Sequence, residues 1–160
     1  MKINILILFF LPFLSFSQPV FFAGGEMAFW FDEESSNFGI GPSLGLNFIL
    51  GQSPVSISGK TAIIYYPNAN GRLTLPLLAG IKYDLDERRT RVKPEGLYIE
   101  GLGGFQIIRK NSNTDLSLGL TPKIGVVIKE KTDISVGMNV IIEDASRSQY
   151  LGFNLSYRLI

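Results

Sequence analysis

The side chains that could carry out chemistry in this 160-residue chain are carboxylates, lysines and arginines, because the sequence contains neither histidine nor cysteine. Without those two residues a Ser-His-Asp triad, a thiol nucleophile and imidazole or thiolate metal ligands are excluded. Acid–base catalysis by two carboxylates remains open, with Glu26 and Glu100 as candidates. No motif accompanies them, so we expect a protein that is not an enzyme and holds no metal or cofactor.

A second chemistry open to these residues is charge pairing inside the protein. Eight charged residues stand within otherwise apolar segments, at positions whose parity places them on the face opposite to the apolar one. Ionised groups removed from water need partners of opposite charge, so we expect a paired network that fills the interior. The set is Glu26, Lys60, Arg72, Lys82, Glu100, Lys123, Glu143 and Arg158.

The elements that must position these residues are β-strands, because the dominant hydrophobic period from Phe21 onward is two. In the segment 38–48, for example, apolar residues alternate with glycine, serine and asparagine. The pattern predicts eight strands, at 21–31, 38–48, 55–66, 73–83, 97–109, 116–128, 134–142 and 151–159. Segments rich in Gly, Asn, Asp, Ser and Pro separate them and read as turns, the longest of which spans 84–95.

The composition of the two faces distinguishes a membrane barrel from a soluble barrel of the lipocalin type. Five predicted strands alternate most clearly: 38–48, 73–83, 116–128, 134–142 and 151–159. None of their apolar-face positions carries a charge, and glycine is the most frequent residue on the other face. Eight strands enclose a lumen just wide enough for small side chains, whereas so large an apolar face suits lipid. The sequence therefore predicts an all-β, eight-stranded, antiparallel, up-and-down transmembrane β-barrel. A soluble lipocalin-like ligand carrier is the less favoured reading.

Two local features refine this prediction. Aromatic residues gather near the strand ends and resemble the interfacial girdles of membrane barrels. One rim would hold Phe29, Trp30, Phe31, Phe38 and Tyr65, and the other would hold Phe48, Tyr83 and Tyr157. Three prolines at positions 42, 76 and 122 fall inside predicted strands, where each removes a backbone donor, so we expect bulges or strand ends there.

The N-terminal residues have the pattern of a secretory signal peptide. Lys2 is followed by an apolar run over 5–14 and a small-x-small site at Ser15-Phe16-Ser17. We predict a signal peptide at 1–17 and a single barrel domain at 18–160. Loss of Lys2 from the 15 basic residues leaves 14, equal to the 14 acidic residues, so the charge balance gives no basis for nucleic-acid binding.

With these patterns the mature chain resembles the small eight-stranded outer-membrane β-barrel family, the OmpA/OmpX-like proteins. Segments 38–48 (FGIGPSLGLNF) and 96–106 (GLYIEGLGGFQ) are typical of that family. Tyr150, Gly152, Leu155 and Tyr157 fit the C-terminal signal read by the barrel-assembly machinery, although the chain ends on Ile160 instead of an aromatic residue. The resemblance implies the outer membrane of a Gram-negative cell, with both termini in the periplasm.

Several functions fit a barrel of this class. Its known enzymes use histidine, which this chain lacks, so the resemblance also favours a non-enzymatic protein. We expect a lumen plugged by side chains and a structural or interaction role, with a narrow pore or transport barrel for small solutes or apolar molecules as the alternative. Expected partners are outer-membrane lipid, the assembly machinery and a periplasmic protein at the turn 84–95. We expect a monomer.

Overall fold

The computed structural model describes residues 17–32, 35–50, 53–69, 71–85, 95–110, 113–142 and 147–159. Regular structure in these ranges consists of the strands β1 (Ser17–Asp32), β2 (Ser35–Leu50), β3 (Val55–Ala62), β4 (Ile64–Tyr66), β5 (Arg72–Asp84), β6 (Gly96–Lys110), β7 (Asn113–Ile128), β8 (Thr132–Ile142) and β9 (Arg147–Arg158). In none of these ranges is there a helix that is long and apolar enough to cross a membrane. The predicted signal peptide lies outside the described residues apart from Ser17, and it stays a prediction.

The strands form one closed antiparallel barrel. β1 pairs with β2 along its whole length and with β9 over residues 22–31, so the sheet has no free edge. β3 and β4 are one barrel strand interrupted at Ile63, because their registers against β2 and against β5 continue unchanged across it. The predicted eight-stranded up-and-down barrel is therefore confirmed, with most strands a few residues longer than the hydrophobic pattern indicates.

The two ends of the barrel differ in what they carry. The end called here the terminal end holds the start of β1, the end of β9 and the connections β2–β3, β5–β6 and β7–β8. The opposite end, called the loop end, holds the connections β1–β2, β4–β5, β6–β7 and β8–β9. This assignment follows from the up-and-down order of the strands and gives a reference for positions along the lumen.

Side chains alternate between the lumen and the outer surface, as a period of two requires. None of the apolar-face positions of the five clearest strands is buried, and none of the positions between them is exposed. Leu44, for example, is 57% exposed on the outside. The first strand, in which both faces are apolar, turns Glu26 inward and Met27 outward. The large apolar face is thus the outer one.

The three strand prolines produce gaps in backbone pairing without bulges. Pro42 and Pro76 stand opposite residues 63 and 62, where β3 gives way to β4, and the Ile63 N–H donates to the Pro42 carbonyl over 3.0 Å. Opposite Pro122, the pairing of β7 with β8 is interrupted over two residues, yet the register is the same on either side. The expectation of bulges or strand ends is wrong, because each proline removes a donor but inserts no residue.

The predicted aromatic rim at the loop end needs one correction. Phe29, Phe31, Phe38 and Tyr65 lie on the outer surface, but Trp30 is 2% exposed and points into the lumen. Trp30 alternates with its two phenylalanine neighbours, so strand parity decides its side and proximity to the rim does not. At the terminal end Tyr83 and Tyr157 are exposed and Phe48 is half-buried.

Candidate functional site

The terminal-end half of the lumen is organised around Tyr98, whose side chain is fully buried. Its hydroxyl donates a hydrogen bond to Asp133 Oδ1 over 2.9 Å. Lys82 Nζ lies 3.5 Å from the centroid of the Tyr98 ring, and Lys123 Nζ lies 5.5 Å from it. The ring lies against Gly125 of β7, where any side chain would collide with it. Two ammonium groups therefore lie close to one aromatic ring, an arrangement stabilised by cation–π attraction.

Two carboxylates balance these lysines. Glu100 forms an ion pair with Lys123, and Lys82 Nζ lies 3.9 Å from Asp133 Oδ2. The strand register places the three residues of β5, β6 and β7 in one row, because Glu100 is directly opposite both Lys82 and Lys123. All four charged groups are buried or nearly so, and each has a partner of opposite charge. Lys82, Tyr98, Glu100, Lys123 and Asp133 together are called the charged layer below.

A third ion pair lies nearer the middle of the strands. Lys60 Nζ is 2.8 Å from Glu26 Oε2, and the Glu26 side chain is 1% exposed. Close by, the Asn154 amide donates to Ser43 Oγ over 2.7 Å and to the Gly25 carbonyl over 3.3 Å. Between these groups and the charged layer is a cavity of about 30 Å³. Such a volume accommodates about two water molecules.

The loop-end half of the lumen has a different composition. The Trp30 ring is stacked on Tyr150 with centroids 5.4 Å apart, and it meets the edge of Tyr66 at 5.7 Å. Arg72 places its guanidinium carbon 4.4 Å from the centroid of the Trp30 ring. All four side chains are less than a tenth exposed. Trp30, Tyr66, Arg72 and Tyr150 are called the aromatic layer below.

The predicted charge set is distributed along the lumen. Glu26, Lys60, Lys82, Glu100 and Lys123 all take part in ion pairs of the lumen. Arg72 lies apart from them in the aromatic layer, and Arg158 is half-buried at the terminal end. Glu143 falls outside the described residues.

In the terminal-end half of the lumen, the predicted charge set does not include two buried carboxylates and the tyrosine between the lysines: Asp84, Asp133 and Tyr98. Asp84 falls in the predicted turn 84–95, and Asp133 directly precedes the predicted strand 134–142, although both are buried at strand ends. Tyr98 lies within the predicted strand 97–109 and, as an uncharged residue, is outside the charge set. The signal that could have found the two aspartates is parity, since Asp84 follows Lys82 by two residues and Asp133 precedes the inward Ser135 by two.

The acidic residues do not form a second kind of site in the described part of the chain. Glu26 and Glu100, the candidate catalytic carboxylates, are each tied to a different lysine. Within the described ranges, no group of three or more acidic side chains is placed to hold a metal ion. What the lumen offers chemically is charge pairing and a small cavity lined by polar and charged groups.

Two further predicted segments are placed only in part. Of the C-terminal signal, Tyr150 and Gly152 are buried in the lumen, whereas Leu155 and Tyr157 are exposed outside. Of the turn 84–95, residues 86–94 lie outside the described residues, and the Leu85 N–H donates to the Leu97 carbonyl over 2.9 Å at its base. The roles of both segments stay predictions.

The outer wall carries one large apolar groove, of about 580 Å³, across β5 to β9. Its lining includes Pro122 and Gly101, where a Cβ atom would meet nothing within 4 Å. Ile81, Ile99 and Met138 are among the side chains that line it. The groove continues the apolar outer surface and contains no charged group that is not part of the lumen.

Comparisons with known proteins find this architecture in solved structures. Neisserial surface protein A, NspA, is 13% identical, with a TM-score of 0.64, over 88% of this chain and 96% of that chain. The N-terminal β-barrel domain of Pseudomonas aeruginosa OprF is 12% identical, with a TM-score of 0.65, over 89% and 99%. Ail, the attachment invasion locus protein of Yersinia pestis, is 10% identical, with a TM-score of 0.59, over 88% and 97%.

These three proteins are small eight-stranded outer-membrane barrels, so the likeness confirms the fold expected from the sequence. No family model matches the sequence, and no curated protein matches it closely enough to count as a relative. At identities between 10% and 13%, the likeness carries the fold and leaves the specific role to be argued from the lumen and the outer surface.

Proposed function

We propose, from the premise that the chain has the fold of the small outer-membrane barrels, that it is a non-enzymatic outer-membrane protein with a plugged lumen and a structural or interaction role. The observation that carries the proposal is the filling of the lumen by two successive layers of side chains. The aromatic layer occupies the loop-end half, and the charged layer with its ion pairs occupies the terminal-end half. Eight strands leave little more room than such side chains need.

The outer surface supports the membrane location. Large apolar residues such as Leu44, Leu116 and Leu155 are more than half exposed along the strands, and a soluble protein would bury most of them. A closed barrel leaves no unpaired sheet edge in lipid, where each unsatisfied backbone group would cost several kcal/mol. The same exposure disfavours a soluble lipocalin-like carrier.

The lumen and the composition support the absence of catalysis. The sequence has no histidine or cysteine, and the two candidate carboxylates each neutralise a lysine. A general acid or base must reach a substrate, whereas these carboxylates are buried beneath their partners. The three similar solved structures are non-enzymatic barrels, which makes an enzyme unexpected here.

The proposal includes a topology and a set of partners. Both termini and the turn 84–95 would face the periplasm, and the segment 150–157 would be read by the barrel-assembly machinery during insertion. The turn 84–95 is long for a periplasmic connection, so it is where we place a periplasmic partner. The protein would otherwise contact outer-membrane lipid, as a monomer, and no nucleic acid.

The alternative is a narrow pore, and the water-sized cavity beside the charged layer is the observation that favours it. In a pore the ion pairs would open to a continuous path, whereas in a plug they close it. The cavity is lined by charged groups of both signs, namely Lys60, Lys82, Lys123, Glu100 and Asp133.

Two measurements test the proposal on the full-length protein. Membrane fractions should contain it in the outer membrane, with a gel mobility that differs between unboiled and boiled samples. Planar-bilayer recordings of the purified barrel should show no stable single-channel steps. Steps that occur in the wild type and change in conductance or selectivity in Glu100→Ala would establish the pore instead.

A further inference from the structure

The aromatic layer holds a surplus of buried hydrogen-bond donors. Arg72 is 8% exposed, and its Nε and Nη1 atoms are buried without a hydrogen-bond partner in the described part of the chain. The same is true of Trp30 Nε1 and of the Tyr66 and Tyr150 hydroxyls. A guanidinium and an indole can only donate, so what these groups lack is an acceptor. Buried donors left without an acceptor are costly and rare in proteins.

The carboxylates of the described lumen do not supply that acceptor. Asp84 lies at the opposite end of β5 from Arg72, and the other three have partners of their own. Glu26 is paired with Lys60, Glu100 with Lys123, and the two oxygens of Asp133 are engaged by Tyr98 and Lys82. Among the described residues, Arg72 forms no ion pair, and its guanidinium lies against the face of Trp30. A buried cation without a counter-charge is strongly destabilising, and ring contact offsets only part of that cost.

The position of Arg72 makes it reachable from outside the barrel. It is the first residue of β5, directly after the β4–β5 connection, and Trp30 is two residues from the end of β1. The aromatic layer therefore lies just below the loop end. An ion arriving from that side meets the guanidinium before it meets any of the ion pairs.

We infer that the aromatic layer is a binding site for a small inorganic anion, such as a halide, held by the Arg72 guanidinium with the Trp30 indole N–H as a second donor. The anion supplies both the missing acceptor and the missing counter-charge. It differs from water in the second respect, since water offers a lone pair but leaves the charge of Arg72 uncompensated. The site goes beyond the proposed plug function, and its test does not depend on a membrane location.

The experiment uses Trp30 as its own reporter, because it is the one tryptophan in the sequence. Folded protein in zwitterionic detergent is titrated with sodium iodide, at constant ionic strength maintained with sodium gluconate, while tryptophan fluorescence is recorded. Wild-type protein should show saturable quenching that chloride displaces, and caesium, a cationic quencher, should quench weakly and without saturation. Arg72→Gln should weaken iodide binding about tenfold or more.

The matched control is Arg109→Gln. Arg109 lies in β6 opposite Leu73, one residue along from Arg72, but its side chain is exposed on the outer surface. This variant should quench as the wild type does. Boiled and unboiled gel mobilities verify that each variant is folded, and the iodide–caesium comparison on the wild type decides the question even if Arg72→Gln does not fold.

Linear iodide quenching of the wild type, equal to that of Arg72→Gln, would overturn the inference. Saturable quenching that appears in Glu143→Gln but not in the wild type would overturn it too. In that case the Glu143 carboxylate would be the natural acceptor for Arg72, and iodide would bind only after its removal. Glu143 lies outside the described residues, and this variant distinguishes an internal carboxylate from a bound anion.

Discussion

The two halves of the lumen fill the same barrel by different means. In the terminal-end half, two lysines, two carboxylates and Tyr98 satisfy one another through ion pairs, cation–π contacts and a hydrogen bond. In the loop-end half, three aromatic rings and one arginine fill the space, and the donors of that group find no acceptor in the described residues.

This difference shows that filling a lumen with side chains does not by itself provide their polar groups with hydrogen-bond partners and counter-charges. Stacked rings exclude water and contribute packing, but they cannot neutralise a charge. Paired charges neutralise one another, but removal of one member leaves its partner buried and uncompensated. The charged layer should therefore be sensitive to single substitutions of charge, and the aromatic layer should be sensitive to loss of volume and to what its arginine binds.

The largest expected effect comes from breaking the charged layer with Glu100→Ala. Because Lys123 would stay buried without its carboxylate, the free energy of unfolding should fall by about 3–5 kcal/mol. Urea titrations in lipid vesicles, followed by heat-dependent gel mobility, would measure this. The double variant Glu100→Ala/Lys123→Met should recover most of the loss, since it removes both charges.

Asp115→Ala is the control for this substitution. Asp115 also lies in a strand, but it is exposed at the loop-end side of β7, so its loss should change stability by no more than about 0.5 kcal/mol. If Glu100→Ala costs no more than this control, water reaches Lys123 and the terminal-end half is a hydrated channel.

The next effect concerns the outer surface, where we expect substitutions in the two halves of the barrel to have similar costs. Leu44→Arg and Leu118→Arg place a charge on the apolar face at two levels of the barrel, and each should cost about 2–4 kcal/mol in a bilayer. Leu85→Arg, just beyond the end of β5, should cost little. Neutral results for the first two, together with solubility in the absence of detergent, would contradict the membrane barrel.

Much of the fold follows from the sequence, because alternation and the lack of charge on one face are enough to assign both strands and facing. Alternation is a weaker guide in β1, which contains Glu26. Residues on both sides of β1 are apolar, so the pattern there has little contrast, although the inward parity of Glu26 holds in the structure. Trp30 shows that an aromatic residue near a strand end does not always belong to the interfacial girdle. Its parity places it in the lumen, between the outward Phe29 and Phe31.

The lumen is less predictable, because its contacts depend on strand register. Parity alone indicates that Lys82, Glu100 and Lys123 share a face, but a shift of two residues between neighbouring strands would pair them differently. The pairing seen here requires Glu100 to stand opposite both lysines. Asp133 is the second residue of β8, and strand ends are the least certain part of a hydrophobic pattern.

The smallest effect gives the sharpest comparison, because the same substitution can be made in both layers. Tyr98→Phe removes a hydroxyl that donates to a buried carboxylate, and Asp133 would keep only its contact with Lys82. Hydrogen bonds to charged groups contribute about 1.5–3 kcal/mol, so the unfolding free energy should fall by about that amount.

Tyr150→Phe removes a buried hydroxyl that has no hydrogen-bond partner in the described residues, while its ring stays stacked on Trp30. That variant should lie within about 0.5 kcal/mol of the wild type, or be slightly more stable. Paired urea titrations of the two variants would measure the contrast. Equal losses would mean that the Tyr150 hydroxyl is bound after all, by water or by the anion, and that the aromatic layer is satisfied by a ligand which its protein groups do not provide.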